Sequence, residues 1–173
     1  MNIPTATYRI QFSTAFGFQA AQPVIPYLAD LGISDLYASP IFKAVKGSLH
    51  GYDVVDPNQL NPELGGLSDL EALAVELRKH NMGWIQDIVP NHMAMDSENL
   101  LLMDTLENGH SSRYFHFFDV DWGHPPAGPN NRLLAPFLGK FHGECLEDGE
   151  IALSYGPEGF SVTYYNLAFP LRI

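Results

Sequence analysis

The sequence predicts an α/β protein that begins with parallel β/α units and turns to antiparallel β structure in its second half. Three observations predict it. A strand pattern over residues 6–12, a helical pattern over 18–31 and a second strand pattern over 35–38 follow one another in the order of a βαβ unit. A later helix leads into Gly83-Trp84-Ile85-Gln86-Asp87-Ile88-Val89-Pro90-Asn91-His92, strand-forming residues that end in a proline and a polar pair. In a parallel sheet or barrel that carboxyl end is where ligands bind. From Lys140 onward, short alternating runs separated by glycine-containing turns replace the helix–strand rhythm.

The elements can be justified in order. In residues 6–12, Tyr8, Ile10 and Phe12 alternate with Thr7, Arg9 and Gln11, the period of a strand with two unlike faces. Between 18 and 31, Ala20, Val24, Tyr27, Leu28 and Leu31 recur at helical spacing, with Pro23 or Pro26 near the first turn, where a missing N–H costs little. Gly32 ends this helix, and the strand at 35–38 follows directly. Residues 41–66, rich in Gly, Pro, Asn and Asp, are expected to form one long functional loop that carries His50-Gly51-Tyr52-Asp53. Ser68-Asp69-Leu70-Glu71 reads as a capping box for a helix with the apolar stripe Leu67, Leu70, Leu73, Ala74 and Leu77. Arg78, Lys79 and His80 oppose its dipole, Asn81 and Gly83 close it, and the third strand covers 84–89 with Asp87 inside.

Past residue 95 the pattern changes. Asp96 or Ser97 is expected to cap a short helix running through Leu106, and Tyr114 to Trp122 gathers aromatic and acidic residues, most simply as core. Residues 123–129 read as a Pro/Gly loop. Asp148-Gly149 reads as a hairpin turn between Leu146 and Ile151, and Gly156-Pro157-Glu158-Gly159 as the turn joining strands at 151–155 and 160–164. The chain is therefore expected to divide into 1–95 and 96–173.

Composition narrows the function. With 46% hydrophobic and 17% charged residues, 173 residues suffice for a folded domain with a real core. Nine basic against 20 acidic residues give a formal charge of −11, which disfavours nucleic acid and anionic membranes as partners, because both require clustered Lys and Arg. Cys145 is the single cysteine, so neither an intrachain disulfide nor a cysteine-based metal site can form. No signal-peptide or bilayer-spanning run is present, and a cytoplasmic location is expected.

The residues of chemical interest are His92 and Asn91 after the third strand, Asp87 within it, and His50, Tyr52 and Asp53 in the loop after the second strand. Loops that follow adjacent parallel strands share one rim, so these groups can converge. Such a set suits a sugar, whose apolar ring face stacks on aromatics while its hydroxyls bond to carboxylates, amides and imidazoles. Each residue also has a plainer reading. Asp87 and Asn91 could cap the strand end, Tyr52 could be packing, and Asp53 could be turn chemistry. His110, His116, His124 and His142 are too widely spaced for a metal constellation.

Asp87-Ile88-Val89-Pro90-Asn91-His92 resembles the first conserved region of the α-amylase superfamily of glycoside hydrolases and transglycosylases. His50-Gly51-Tyr52-Asp53 resembles the loop that supplies a stacking tyrosine there. Further blocks narrow the likeness: Ala6-Thr7-Tyr8-Arg9-Ile10-Gln11-Phe12, Leu36-Tyr37-Ala38-Ser39-Pro40, Asp53-Val54-Val55-Asp56-Pro57 and Asn61-Pro62-Glu63-Leu64-Gly65-Gly66. With Leu106-Glu107-Asn108-Gly109 and Phe117-Phe118-Asp119-Val120-Asp121-Trp122, they resemble, in order and across almost the whole chain, the maltooligosyltrehalose synthase family.

The resemblance implies the first three β/α units of a (β/α)8 TIM barrel in 1–95, and in 96–173 the start of an inserted domain B with an antiparallel β meander. It implies an isomerase of trehalose biosynthesis, which converts the reducing-end α-1,4 bond of a maltooligosaccharide to α,α-1,1 by intramolecular transglycosylation. Such chemistry uses a carboxylate nucleophile, a proton donor and a covalent glycosyl intermediate. By residue, Tyr52 would stack on the sugar, His50 and His92 would bind its hydroxyls, and Asp53 would be a further hydroxyl ligand. Asp87 and Asn91 would hold the strand end. The family's catalytic trio follows barrel strands four, five and seven, so no catalytic residue is assigned. The expectation is an amino-terminal fragment with an incomplete barrel, inactive alone, whose partners are a maltooligosaccharide or α-glucan and the missing remainder of the barrel. No cofactor or metal is implied; an Asn placed like Asn91 serves some amylases as a calcium ligand, but no further ligand can be traced. Two alternatives stay open: another α-amylase-type hydrolase or transglycosylase, and a non-catalytic α-glucan-binding remnant.

Overall fold

The structure, a computed structural model, describes residues 3–122, 137–157 and 159–171. The expected loop at 123–129, His124 and Glu158 of the expected 156–159 turn lie outside the described residues. The chain divides into two compact units, Met1–Ala94 and Met95–Ile173.

The first unit contains β1 (Thr7–Ile10), α1 (Phe18–Ala21), α2 (Ile25–Asp30), β2 (Asp35–Ala38), β3 (Phe42–Ala44), β4 (Val54–Leu60), α3 (Leu67–Lys79) and β5 (Gly83–Gln86). Strands β1, β2 and β5 form one parallel sheet in the order β1-β2-β5, with Arg9 opposite Tyr37 and Tyr37 opposite Ile85. Its core is Phe12, Phe18, Ile25, Leu28, Leu36, Leu73 and Leu77, each almost fully removed from water. Phe12 meets Phe18 edge to face at 5.3 Å and stacks on Trp84 at 6.1 Å.

Several expectations require correction. The helix expected over 18–31 is interrupted by a 3-10 turn, Gln22–Val24, because Pro23 and Pro26 lack the N–H that a continuous helix needs there. The inward stripe is accordingly Phe18, Ala21, Ile25 and Leu28, whereas Tyr27 and Leu31 are exposed. The long loop at 41–66 holds an antiparallel pair, β3 with β4, whose register is irregular at Lys43. Val54 and Val55 are buried and drive that pairing. Helix α3 starts one residue before Ser68: Gly66 is its N-cap, and the Asp69 carboxylate, not Glu71, accepts from the Gly66 N–H at 2.8 Å. Leu67 of the expected stripe is exposed, while Leu73 and Leu77 are buried. Strand β5 ends at Gln86, so Asp87 lies just beyond it, with its N–H donating to the Ala38 carbonyl at 3.0 Å.

The second unit contains α4 (Leu100–Asn108), α5 (His142–Glu147), β6 (Ile151–Gly156), β7 (Gly159–Tyr164) and β8 (Leu167–Leu171). Strands β6, β7 and β8 form the antiparallel meander. Helix α4 is capped by Asn99, whose side chain accepts from Leu102 N–H at 3.2 Å, rather than by Asp96 or Ser97. Asp148-Gly149 is no hairpin turn: it ends α5, with Gly149 at φ +69°. The same dipeptide serves a helix end and a hairpin because both need a left-handed residue. Among the described residues no helix is long and apolar enough to cross a membrane.

Candidate functional site

The carboxyl ends of β1, β2 and β5 carry a hydrogen-bonded group centred on Tyr52. Side chains two residues apart on a strand share a face. Arg9 therefore stands beside Tyr37 across the sheet, and Asp87, two residues past Ile85, continues that row. The Tyr52 hydroxyl donates to Asp87 Oδ2 at 2.5 Å and accepts from Arg9 Nη2 at 3.1 Å. Tyr37 donates to the same Asp87 oxygen at 3.2 Å, and Arg9 lies 4.0 Å from it. The Arg9 guanidinium also sits 5.7 Å from the Tyr37 ring centre, within cation–π range. Because its hydrogen bond to the Asp87 carboxylate favours the neutral phenol, the Tyr52 hydroxyl is held above the usual phenol pKa, against an opposing pull from Arg9. The Tyr52 bond in turn raises Arg9 above its already high ordinary value.

Local chemistry brings Tyr52 to that point. Residues 45–53 form a closed loop: Val45 N–H donates to the Asp53 carbonyl at 3.0 Å, and Ser48 Oγ donates to Asp53 Oδ1 at 2.5 Å. Gly51 adopts φ +76°, and a Cβ there would lie 2.9 Å from the Pro40 carbonyl oxygen, so glycine is required on both counts. Gln11 of the first-strand segment donates to the His50 carbonyl at 3.2 Å. The Tyr52 N–H donates to His50 Nδ1 at 3.0 Å. In the neutral ring, Nδ1 is thereby the acceptor and Nε2 carries the hydrogen. Asp53 Oδ1 is 3.7 Å from His50 Nδ1 and shapes the loop.

Of the residues expected to converge, Tyr52 and Asp87 touch, and His50 and Asp53 join them through the loop. Asn91 and His92 lie on an arch anchored by Asp87 N–H at one end and by Ala94 N–H, which donates to the Val54 carbonyl at 2.8 Å, at the other. Both side chains are exposed, and neither is brought into hydrogen-bond contact with Tyr52 or Asp87. Arg9, Tyr37, Gln11 and Ser48 are site residues that the sequence motifs do not mark. Arg9 had a signal: it occupies the face of β1 opposite the buried Ile10 in a chain with few cations. Among the described residues, no group of three His, Cys, Asp or Glu could hold a metal ion.

The site is open at the strand ends rather than enclosed. Hollows lie elsewhere in each unit. One of about 350 Å³ lies in the first unit between α3 and Trp84, and one of about 560 Å³ in the second between α4 and the meander. Neither is lined by Tyr52, Asp87 or His50.

The parallel β/α arrangement of the first unit agrees with comparison to known proteins. Residues 22–144 match the family described as alpha amylase, catalytic domain, and the chain belongs to that family. Within it, the chain is 42% identical over 167 residues to a putative maltooligosyl trehalose synthase of Mycobacterium tuberculosis H37Rv, covering 88% of this chain and 21% of that protein. It is also similar to a crystal structure of a maltooligosyl trehalose synthase, with a TM-score of 0.88 and 35% identity over 97% of this chain and 22% of that one. For the maltooligosyltrehalose synthase from Arthrobacter ramosus the TM-score is 0.83 and the identity 35%, covering 98% of this chain and 21% of that one. The chain thus spans about a fifth of the length of these relatives.

Proposed function

We propose that residues 1–95 are three β/α units of a (β/α)8 catalytic barrel, that residues 96–173 begin its domain B, and that the chain supplies the glucose-binding wall of a maltooligosyltrehalose synthase. That enzyme would convert the reducing-end α-1,4 linkage of a maltooligosaccharide to α,α-1,1 by intramolecular transglycosylation, an isomerisation serving trehalose biosynthesis in the cytoplasm. The observation that carries the reading is Tyr52, whose hydroxyl is tethered to Asp87 and Arg9 at the strand ends. Tethering at the phenol tip fixes the ring as a platform, and a fixed platform loses little entropy when a pyranose stacks on it. His50 Nε2 and His92 are donors for sugar hydroxyls, Asp53 holds the His50 loop, and Asp87 and Asn91 belong to the strand end. No residue of this chain is assigned as nucleophile or proton donor.

The reading is tested by titrating the protein with maltohexaose while following Trp84 and Trp122 fluorescence. Trp84 reports because its Nε1 donates to Gln86 at 3.2 Å, and Gln86 Nε2 donates to the Asp87 carbonyl at 2.7 Å. A saturable change is expected, and a flat response counts against glucan binding. Chromatography of the same mixtures is expected to show no trehalose-ended product; its formation would overturn the assignment of the catalytic carboxylates to residues outside this chain.

A further inference from the structure

We propose that Arg9 is a positioning residue: acting through the Tyr52 hydroxyl, it sets the orientation of the Tyr52 ring and so the affinity of the site for an α-glucan. The inference rests on the reading of Tyr52 as the sugar platform. A phenol has one proton to give and lone pairs to receive with. Donation to Asp87 Oδ2 uses the proton, and acceptance from Arg9 Nη2 uses a lone pair. One bond alone would leave the hydroxyl free to swing about the carboxylate. Two bonds of opposite sense, from β1 and from the segment after β5, allow the tip one direction.

Tyr52 needs this second tether because it sits in a loop. The loop is closed on itself by backbone and serine bonds, but its link to the first-strand segment besides Arg9 is the Gln11 bond to the His50 carbonyl. Arg9 can reach Tyr52 because strand register fixes its stem beside Tyr37, and its planar head rests 5.7 Å from that ring. Lysine could replace the charge and one donor but not a flat group held against Tyr37. The Arg9 side chain is 39% exposed, so its charge is partly screened, and geometry is its main contribution.

The test is a double-mutant cycle read by calorimetric titration with maltohexaose. Arg9→Met is expected to weaken binding by about five- to tenfold, the loss of one hydrogen bond to a charged group after screening. Tyr52→Phe is expected to weaken it comparably, and Arg9→Met in the Tyr52→Phe background to add nothing further. Arg9→Lys should recover part of the loss, and Lys79→Met, on the exposed face of α3, should leave affinity unchanged. Additive losses would show that Arg9 acts on the sugar or on the fold independently of Tyr52, and would overturn the proposal. A second measurement needs no sugar: the ¹⁹F resonance of 3-fluorotyrosine at position 52. It is expected to shift and sharpen towards that of a free side chain in Arg9→Met, and an unchanged resonance refutes the proposal. Absence of glucan binding by the unsubstituted protein would refute the sugar reading, while the ¹⁹F result would still decide whether Arg9 orients the ring.

Discussion

Replacing Asp87 by Asn keeps the side chain's shape and removes its charge, which isolates what the carboxylate contributes. Asp87 Oδ2 accepts from Tyr52 at 2.5 Å and from Tyr37 at 3.2 Å, with Arg9 at 4.0 Å, and its side chain is 15% exposed. An amide oxygen can still accept, so each phenol bond falls from charge-assisted to neutral strength, a loss of about 0.5–1 kcal/mol apiece. Arg9 is partly in water, so its attraction adds about 0.5 kcal/mol rather than the several expected of a fully buried pair. The sum is about 2 kcal/mol. For a unit of roughly a hundred residues this lowers the melting temperature by about 10 °C. Scanning calorimetry of Asp87→Asn against the parent protein measures it directly. The same variant should bring the Tyr52 phenol back down towards its ordinary pKa, visible as tyrosinate absorbance at lower pH, because the group that raised it is gone. A melting change under about 3 °C with an unmoved phenol titration would refute the account of the cluster.

Three further outcomes are expected. Gly17→Ala would place a Cβ 2.4 Å from the Leu64 carbonyl oxygen, a backbone atom that cannot swing aside, and should destabilise the first unit by about 2–3 kcal/mol in thermal denaturation. Asp69 accepts from Gln19 and from the Gly66 N–H, which hold its pKa below the ordinary value. A lowered folded-state pKa gives stability that is present above the unfolded value of about 4 and is lost as pH falls through the folded one. The acid side of a pH–stability profile should therefore be shallower in Asp69→Asn. In the second unit, buried Tyr164 accepts from the Gly139 N–H at 2.9 Å. Tyr164→Phe removes that bond, and because Gly139 is exposed and its N–H can turn to water, it should cost about 0.5–1.5 kcal/mol in denaturant unfolding.

The parallel pairing of β1 with β2 was legible because a helix between two strands carries the chain back so that the second strand runs in the direction of the first, and Gly32 marks the break between α2 and β2. The inward face of residues 18–31 was not, since a helical period presumes an unbroken helix and the two prolines impose a 3-10 turn that rotates the second half. Leu146 to Ile151 misled for a related reason: an Asp-Gly pair records a need for positive φ without saying whether a helix or a strand precedes it. At the site, the approach of Tyr52 to Asp87 could be anticipated from loops sharing a rim. The part of Arg9 could not be read from alternation alone, because alternation tells which face a residue occupies and not which loop folds over that face.

The most direct test of the central claim, that the strand ends form a glucose subsite with Tyr52 as its platform, is a paired calorimetric titration of the parent protein and Tyr52→Ala with maltohexaose. Saturable binding by the parent and a loss of about tenfold or more on removing the aromatic face is the predicted result. Equal affinity in the two proteins would contradict it.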